Sequence, residues 1–89
     1  MPGSTGSTIK FEDATIEMHP VESSQIAAIG YDPTAQHLLV TFNGKGTTYA
    51  YDNVTPELFA KFRAAPSPGQ FFHQVIKPNV DLYPFIKVA

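Results

Sequence analysis

The segment His37-Leu-Leu-Val-Thr-Phe-Asn-Gly-Lys-Gly-Thr-Thr-Tyr-Ala-Tyr51 decides the fold of this chain. Its first six residues alternate as a half-buried β-strand does, and residues 47–51 alternate in the same way. Asn43 and Gly44 both tolerate a positive φ, which makes them a strong hairpin signal. Two further residues lengthen the loop, so the sequence predicts a four-residue connection between antiparallel strands. The alternation places Leu38, Val40 and Phe42 on one face of the first strand, and Tyr49 and Tyr51 on one face of the second.

Segments on both sides extend this hairpin into a larger antiparallel sheet. Residues 25–31 have a short strand pattern that an Asp-Pro turn pair ends, which predicts a three-stranded meander. Residues 8–12 and 14–18 alternate as two additional strands would. The tail 83–88 is a candidate edge strand, because its proline is barred from a central position. The sequence leaves open whether this tail joins the sheet.

Two short helices are predicted after the meander. Thr55 and Pro56 supply an N-cap hydroxyl and a proline at the first helical position, and apolar residues then recur with helical period until Pro66. Ser67 and the proline after it repeat this start signal, and a second apolar stripe runs until Pro78. The predicted fold class is therefore α+β, an antiparallel meander sheet of three or more strands with two short C-terminal helices packed on one face. The helix residues expected at that interface are Leu58, Phe62, Phe72 and Ile76, opposite Ile29, Leu39 or their neighbours.

Length, charge and composition exclude several classes of protein. The chain has 89 residues, a formal net charge of -2 and no cysteine. One domain is therefore expected, and neither a disulfide framework nor a thiolate metal site is available. No apolar run has the length of a membrane span, so we expect a cytoplasmic protein without a membrane partner. Residues 18–89 are predicted to form the domain and residues 1–17 an N-terminal extension, of which residues 1–8 are expected to be disordered.

None of the chemical motifs in the sequence favours catalysis. His19, His37 and His73 stand far apart, at spacings that match no compact metal motif. The serine pair at 23–24 lacks the glycine context of a nucleophile elbow. Residues 43–46 resemble a phosphate loop superficially, but they join two strands instead of opening a helix. We therefore expect no enzymatic activity, no cofactor and no metal.

The start of the second helix is the best candidate for a binding site. Its free amides and the positive end of the helix dipole favour an anion. Ser67 adds a hydroxyl, Gly69 indicates the close approach of another backbone or a ligand, and His73 and Lys77 follow at i and i+4 on one face. We predict that a phosphate or carboxylate contacts Ser67, Gly69 and His73, with Lys77 at the periphery. The alternative is that Ser67 is only an N-cap and Lys77 only a partner of the dipole.

Aromatic residues are a second feature with functional meaning. On a β-sheet they stack the bases of single-stranded nucleic acid, whereas in a small domain they also form the core. Tyr49 and Tyr51 share a face, so a tyrosine-bearing face is a candidate for exposure and function. The aromatic residues in the body of the chain are Tyr31, Phe42, Tyr49, Tyr51, Phe59, Phe62, Phe71, Phe72, Tyr83 and Phe85.

A series of short motifs between Met18 and Tyr83 carries a resemblance to a known family. The motifs are Val21-Glu-Ser-Ser24, Ile26-Ala-Ala-Ile-Gly-Tyr-Asp32, Leu39-Val-Thr-Phe42, Tyr49-Ala-Tyr51, Val54-Thr-Pro56 and Ala65-Pro-Ser-Pro-Gly-Gln-Phe-Phe-His73, followed by Ile76. In order and spacing they resemble the KTSC domain family, which is named for its occurrence at the C-terminus of some lysyl-tRNA synthetases. The family is also common as small stand-alone proteins in bacteria and phages. Where it usually has basic residues after the Ser-x-Gly helix, this chain has Lys77-Pro-Asn-Val-Asp-Leu82.

The residues and the resemblance together lead to a non-enzymatic binding module, and the partner stays open between three kinds. The first is RNA, another nucleic acid or a different anionic ligand, as the synthetase context of the family implies. The second is a protein partner or a second copy of the chain, as for a phage or bacterial accessory protein that works through a sheet edge or an aromatic patch. The third is a small nucleotide-like ligand sequestered between protomers.

Overall fold

The protein is described by a computed structural model over residues 7–44 and 46–88. Within these residues it forms a six-stranded sheet of order β1-β2-β3-β4-β5-β6 in which each strand is antiparallel to its neighbours. The strands are β1 (Ser7–Phe11), β2 (Ala14–Pro20), β3 (Ile26–Asp32), β4 (His37–Phe42), β5 (Thr48–Tyr51) and β6 (Phe85–Lys87). The helices are α1 (Pro56–Ala64) and α2 (Pro68–Phe71), and α2 continues as a π-helical segment, Phe72–Ile76. The antiparallel sheet and the two short helices predicted from the sequence are confirmed.

The central meander of β3, β4 and β5 follows the sequence pattern closely. Leu38 pairs with Tyr51 and Val40 with Tyr49, as the alternation requires. The Phe42 N–H donates to the Thr47 carbonyl oxygen over 2.9 Å, and Gly44 has a φ of 88°. Gly44 thus takes the positive φ that the Asn-Gly pair allows, whereas Asn43 keeps a negative φ. Lys45, in the middle of this connection, lies outside the described residues.

Alternation along the strands produces two apolar clusters, one on each face of the sheet. The first cluster joins strand residues to helix residues: Ile26, Ile29, Leu38, Val40, Tyr51, Val54, Phe62, Phe72 and Ile76. Phe62, Phe72 and Ile76, three of the four helix residues expected at the interface, are thus in one cluster with Ile29, and Leu58 is partly buried against it. Leu39 points to the opposite face and belongs to the second cluster. Its neighbours Leu38 and Val40 meet the helices instead, because adjacent residues of a strand point to opposite faces.

The N-terminal hairpin covers the second face of the sheet. β2 pairs with β3 only through His19 opposite Ile29 and Pro20 opposite Ala28. Ahead of that short ladder, Ile16 and Met18 of β2 are buried with Leu39 and Ala50, while Ile9, Phe11 and Ala14 pack around them. Both strands predicted near the N-terminus are confirmed. The expected boundary between extension and domain, at residue 18, falls inside β2.

The segment expected to be disordered is described only at its end. Residues 1–6 lie outside the described residues, and Ser7 and Thr8 begin β1, where they pair with Met18 and Glu17.

Local capping explains where both helices begin. The Thr55 Oγ1 accepts from the Leu58 N–H over 3.2 Å, and the Ser67 Oγ accepts from the Gln70 N–H over 3.4 Å. Each cap is followed by a proline, as predicted. The Lys77 N–H then donates to the Phe72 carbonyl oxygen over 2.9 Å, the wider spacing of a π-helix.

The C-terminal tail completes the sheet. β6 pairs with β5 through Tyr49 opposite Lys87, Ala50 opposite Ile86 and Tyr51 opposite Phe85. It is an edge strand in the sheet of the described residues, and all three of its residues are exposed. Its proline precedes the strand, so the proline removes no hydrogen bond from the middle of the ladder.

Candidate functional site

A groove lined mainly by aromatic residues opens between the β4–β5–β6 part of the sheet and the π-helical segment. Its volume is about 570 Å³. The lining residues of this aromatic groove are Phe42, Asn43, Thr47, Tyr49, Tyr51, Phe72, His73, Lys77, Val80 and Phe85. A groove of this size and composition fits a flat apolar group with a polar attachment.

Five rings in contact form the wall of the aromatic groove. The Tyr49 and Phe85 ring centroids lie 5.5 Å apart in an edge-to-face arrangement, and those of Phe42 and Phe72 lie 5.4 Å apart. Tyr51 contacts both Phe72 and Phe85. Phe72 and Tyr51 are buried and belong to the core, whereas Phe85 is 47% exposed. The deeper rings therefore hold the fold, and Phe85, with the half-buried Tyr49, offers ring surface to a ligand.

Burial makes the hydroxyl of a tyrosine that lines this groove, Tyr51, harder to ionise than an ordinary phenol. It raises the pKa of Tyr51 to about 12, and the neighbouring Tyr49 adds a smaller contribution in the same direction. A phenol that stays protonated puts no negative charge at the base of the groove.

One lysine lines the aromatic groove, and a second lysine is on the adjacent strand β6. Lys77 lines it from the helical side and is exposed. Lys87 is the register partner of Tyr49 on β6, so its side chain leaves the sheet on the same face as Tyr49. His73 lines the groove between the helical segment and the sheet and is half-buried. A phosphate attached to a group in the groove thus has Lys77 beside it, and Lys87 is on the same face of the sheet as Tyr49.

A second groove, polar in character, lies at the start of α2. Its volume is about 530 Å³. The lining residues of this polar groove are Glu22, Ser23, Ser24, Gln25, Pro66, Ser67, Pro68, Gly69, Gln70, His73 and Gln74. Three of the residues that the sequence predicted as a site, Ser67, Gly69 and His73, meet here. The fourth, Lys77, lines the aromatic groove instead, and His73 lines both.

Two of the hydroxyl groups in the polar groove, those of Ser23 and Ser67, accept hydrogen bonds from the backbone. The Ser23 Oγ accepts from the N–H groups of Gln25 and Ile26 over 3.2 and 3.3 Å, and Ser67 caps α2. A β-carbon on Gly69 would lie 3.0 Å from the Ser23 Oγ and 3.4 Å from the Gln25 Oε1. The glycine thus accommodates the close approach of the segment between β2 and β3.

Asn43 connects the walls of the two grooves. Its side-chain Nδ2 donates to the Ser23 carbonyl oxygen, and its backbone N–H donates to the Gln25 carbonyl oxygen, both over 2.8 Å. Asn43 lines the aromatic groove, while Ser23 and Gln25 line the polar groove. The two grooves are therefore fixed relative to each other at this point.

The other histidines lie apart from these grooves. His37 Nε2 lies 3.2 Å from Asp52 Oδ1, and its ring contacts Phe11 edge-on. His19 lies 3.4 Å from Glu17 on the exposed side of β2. Over residues 7–44 and 46–88 no three His, Asp or Glu side chains are grouped to hold a metal ion. None of the helices in that part of the chain is long and apolar enough to cross a membrane.

Sequence reasoning missed the part of the site that the tail supplies. Phe85 and Lys87 join Tyr49 only through the β5–β6 register, which pairs segments far apart in the chain. The shared face of Tyr49 and Tyr51 was the available signal, and both residues line the aromatic groove. No local pattern could give the partner strand or its register.

Fold and grooves define a small α+β domain built on an antiparallel meander, with two connected surface grooves beside its second helix. The chain belongs to the KTSC domain family, because residues 22–79 match the model of the KTSC domain. The resemblance inferred from the sequence motifs is thereby confirmed.

Relatives in several bacteria share this domain. A protein of Tsukamurella paurometabola is 51% identical over 62 residues, which cover 70% of this chain and 91% of that protein. A lysine–tRNA ligase of Nostoc sp. is 41% identical over 56 residues, which cover 63% of this chain but 10% of the ligase. A crystal structure of a KTSC domain protein from Yersinia pestis matches with a TM-score of 0.75 at 36% identity, over 83% of this chain and 99% of that one.

Proposed function

We propose that this KTSC domain is a non-enzymatic binding module that holds single-stranded nucleic acid in its aromatic groove. The observation that carries the proposal is the ring surface of Tyr49 and Phe85 in a groove that Lys77 also lines, with Lys87 opposite Tyr49 on β6. Bases stack on such rings irrespective of sequence, and each stacked base contributes about 1–3 kcal/mol. The lysines supply charge for the phosphates on either side.

The charge of the whole protein favours a short, weakly held strand over a duplex. With a formal net charge of -2, the protein offers no extended basic surface to a double helix. Affinity therefore depends on stacking more than on phosphate contacts. Unpaired bases are the form of nucleic acid in which ring faces are accessible for stacking.

The lysine–tRNA ligase relative adds support of another kind. By its name that protein acts on a tRNA, and the region similar to this chain spans 10% of it. A small domain within an enzyme that acts on tRNA is held close to RNA, and RNA is therefore a ligand that such a domain would meet.

A protein partner is the second candidate, and one observation favours it. The large hydrophobic side chains exposed among the described residues are Val80, Leu82, Phe85 and Ile86, of which Phe85 and Ile86 belong to the edge strand β6. Open sheet edges recruit extended peptides or second copies of a chain. Two of these four residues also line the aromatic groove, so the test must separate the two functions.

Titration of the isotope-labelled protein with a uridine tetranucleotide, followed by NMR, tests the proposal. We expect chemical-shift changes at Tyr49, Phe85 and Lys77, and their loss in Phe85→Ala. Leu82→Ala is the matched control, because Leu82 is 61% exposed and does not line the groove. Thermal melts of both variants confirm that they are folded.

Two results would contradict nucleic-acid binding. One is an absence of shift changes at millimolar oligonucleotide. The other is an equal loss of binding in Phe85→Ala and Leu82→Ala, which would assign the effect to the apolar edge as a whole. Concentration-dependent self-association in sedimentation, relieved by Leu82→Ala, would then favour the protein-partner function. Binding of uridine monophosphate as tight as that of the tetranucleotide would favour a small nucleotide-like ligand.

A further inference from the structure

We infer that Asn43 is a site of deamidation, and that its conversion to an acid weakens the tie between the β4–β5 connection and the segment between β2 and β3. Asn43 and Gly44 form an Asn-Gly pair in the connection between β4 and β5. The modification does not depend on nucleic-acid binding, so its main test uses no ligand.

The reaction needs only water. The backbone nitrogen of Gly44 forms a bond to the side-chain carbonyl carbon of Asn43, and the bond from that carbon to the amide nitrogen breaks. The proton of the Gly44 N–H goes to the leaving nitrogen, which departs as ammonia. Water then opens the resulting cyclic imide at either of its carbonyl carbons. One opening gives aspartate, and the other gives isoaspartate, in which the main chain continues through the side-chain carbon.

The three asparagines of the chain, Asn43, Asn53 and Asn79, form a matched comparison. All three are exposed. Each side-chain Nδ2 donates to a backbone carbonyl oxygen, over 2.8 Å at Asn43, 3.1 Å at Asn53 and 2.6 Å at Asn79. The residue that follows is glycine after Asn43 and valine after the other two. A β-branched valine crowds the attacking nitrogen, whereas glycine has no β-carbon, so the reaction is expected to select Asn43.

The surroundings of Gly44 leave room for this attack. Gly44 is exposed and has a φ of 88°, and even an added β-carbon would meet nothing within 4 Å. The peptide unit between Asn43 and Gly44 can therefore rotate to bring the nitrogen to the side-chain carbon without displacing another element.

Deamidation changes a contact that holds two parts of the fold together. The Asn43 Nδ2 donates to the Ser23 carbonyl oxygen, and the Asn43 N–H donates to the Gln25 carbonyl oxygen, both over 2.8 Å. An ionised carboxylate accepts hydrogen bonds and donates none, so the bond to Ser23 is lost in aspartate. In isoaspartate the main chain is also longer by one carbon atom, which alters the connection itself.

One consequence rests on the proposed function. Asn43 lines the aromatic groove, and the described residues of that lining include Lys77 but no aspartate or glutamate. A carboxylate at residue 43 introduces a negative charge there, which repels the phosphates of a bound strand. The deamidated protein should therefore bind nucleic acid more weakly than the unmodified protein.

Incubation of the full chain in mildly alkaline buffer, followed by peptide mass spectrometry, tests the site. We expect Asn43 to react faster than Asn53 and Asn79 by about tenfold or more, the ratio that a barrier lower by ~1.4 kcal/mol gives. The two slower asparagines are internal references in the same sample. Gly44→Ala should slow the reaction at Asn43 severalfold, and thermal melts check that this variant is folded. Equal rates at the three asparagines would overturn the inference. So would an unreacted Asn43 under conditions that convert a synthetic peptide of residues 40–47.

The variant Asn43→Asp measures the consequences of the modification. We expect Asn43→Asp and Asn43→Ala both to unfold at lower denaturant concentration than the wild type, because each removes the donor to Ser23. An aspartate variant as stable as the wild type would contradict the weakened tie.

Binding of the uridine tetranucleotide gives the second readout. Asn43→Asp should lower the affinity severalfold. The matched control is Asn79→Asp, which adds the same charge at an exposed asparagine that lines neither groove. An equal loss of affinity in both variants would contradict a local effect of residue 43. Failure of the wild type to bind would contradict the proposed function but not the modification, which the mass measurement establishes or excludes by itself.

Discussion

The Met18 Sδ lies 2.6 Å from the position that a β-carbon on Gly30 would take. The carbonyl oxygen of Glu17 and the Cγ2 of Ile16 lie almost as close, at 2.8 and 2.9 Å. The backbone of β2 therefore rests directly on β3 at a place that only glycine leaves open. This contact lets the N-terminal hairpin fold over the second face of the sheet.

Gly30→Ala should destabilise the protein by about 1–3 kcal/mol, the usual range for an overpacked core. One of the three close atoms is a backbone oxygen, which a change of rotamer cannot move away. Denaturant unfolding measures the effect. Gly44→Ala shows the cost of backbone strain without overpacking, because its β-carbon would meet nothing within 4 Å and only the φ of 88° would be unfavourable for alanine. A Gly30 variant as stable as the wild type would show that the hairpin does not lie on β3.

The position of this hairpin could not be predicted from the sequence, although its strands could. Alternation in residues 8–12 and 14–18 gave both strands, because side chains of a strand point to alternating faces. It gave no information on the face against which the hairpin would fold. Gly30 was the relevant residue, but a glycine inside a strand has several explanations, and the close approach of a second backbone is one of them.

Stability should fall as the pH rises from about 10 to about 12. The pKa of Tyr51 rises from 10.0 to about 12 on folding because the side chain is buried, with a smaller contribution from Tyr49. Below pH 10 the phenol is protonated in both states and the contribution is fully present. Between the two pKa values the unfolded chain loses the proton and the folded chain keeps it. The free energy of unfolding therefore falls as the pH rises through this range.

Tyr51→Phe tests this pH dependence, since it keeps the ring and removes the proton. The slope of the unfolding free energy between pH 10 and 12 should be shallower in the variant than in the wild type. Part of the slope should remain, because burial and, to a smaller extent, Asp32 also raise the pKa of Tyr31. Identical slopes in the two proteins would exclude Tyr51 as a source of the effect.

The effect of Gly69→Ala on stability should depend on the contact with Ser23 as well as on the helix propensity of alanine. Alanine favours helix by about 0.5–1 kcal/mol, but its β-carbon would lie 3.0 Å from a hydroxyl that two backbone N–H groups hold in place. We expect a net loss of about 1 kcal/mol or less. In a Ser23→Ala background the contact is absent, and the same change should become neutral or stabilising. A double-mutant cycle with no coupling would contradict this contact.

The parts of the candidate site that could be predicted are those whose residues lie close together in the sequence. Ser67, Gly69 and His73 lie within one helical stretch, and local reasoning placed them together correctly in the polar groove. Lys77 was assigned to the same site because i,i+4 residues share a helix face. The structure places Lys77 in the aromatic groove, and His73 lines both the aromatic and the polar groove. Phe85 arrives through a sheet register that no local signal specifies.

The affinity for nucleic acid should depend weakly on salt concentration, and this salt dependence should come from Lys77 and Lys87. Each phosphate neutralised on a single strand contributes a slope of about -0.7 in log K against log salt, so two lysines predict about -1.4. Lys77→Gln should reduce this slope to about -0.7 and lower the affinity for adenosine and uridine strands equally, because a phosphate contact carries no base preference. Lys61→Gln is the control, since Lys61 is an exposed residue of α1 that lines neither groove. Fluorescence anisotropy over a salt series measures the slopes. A Lys77 variant with the slope of the wild type would place the phosphates elsewhere, and a Lys61 variant with a reduced slope would show that the strand lies across α1.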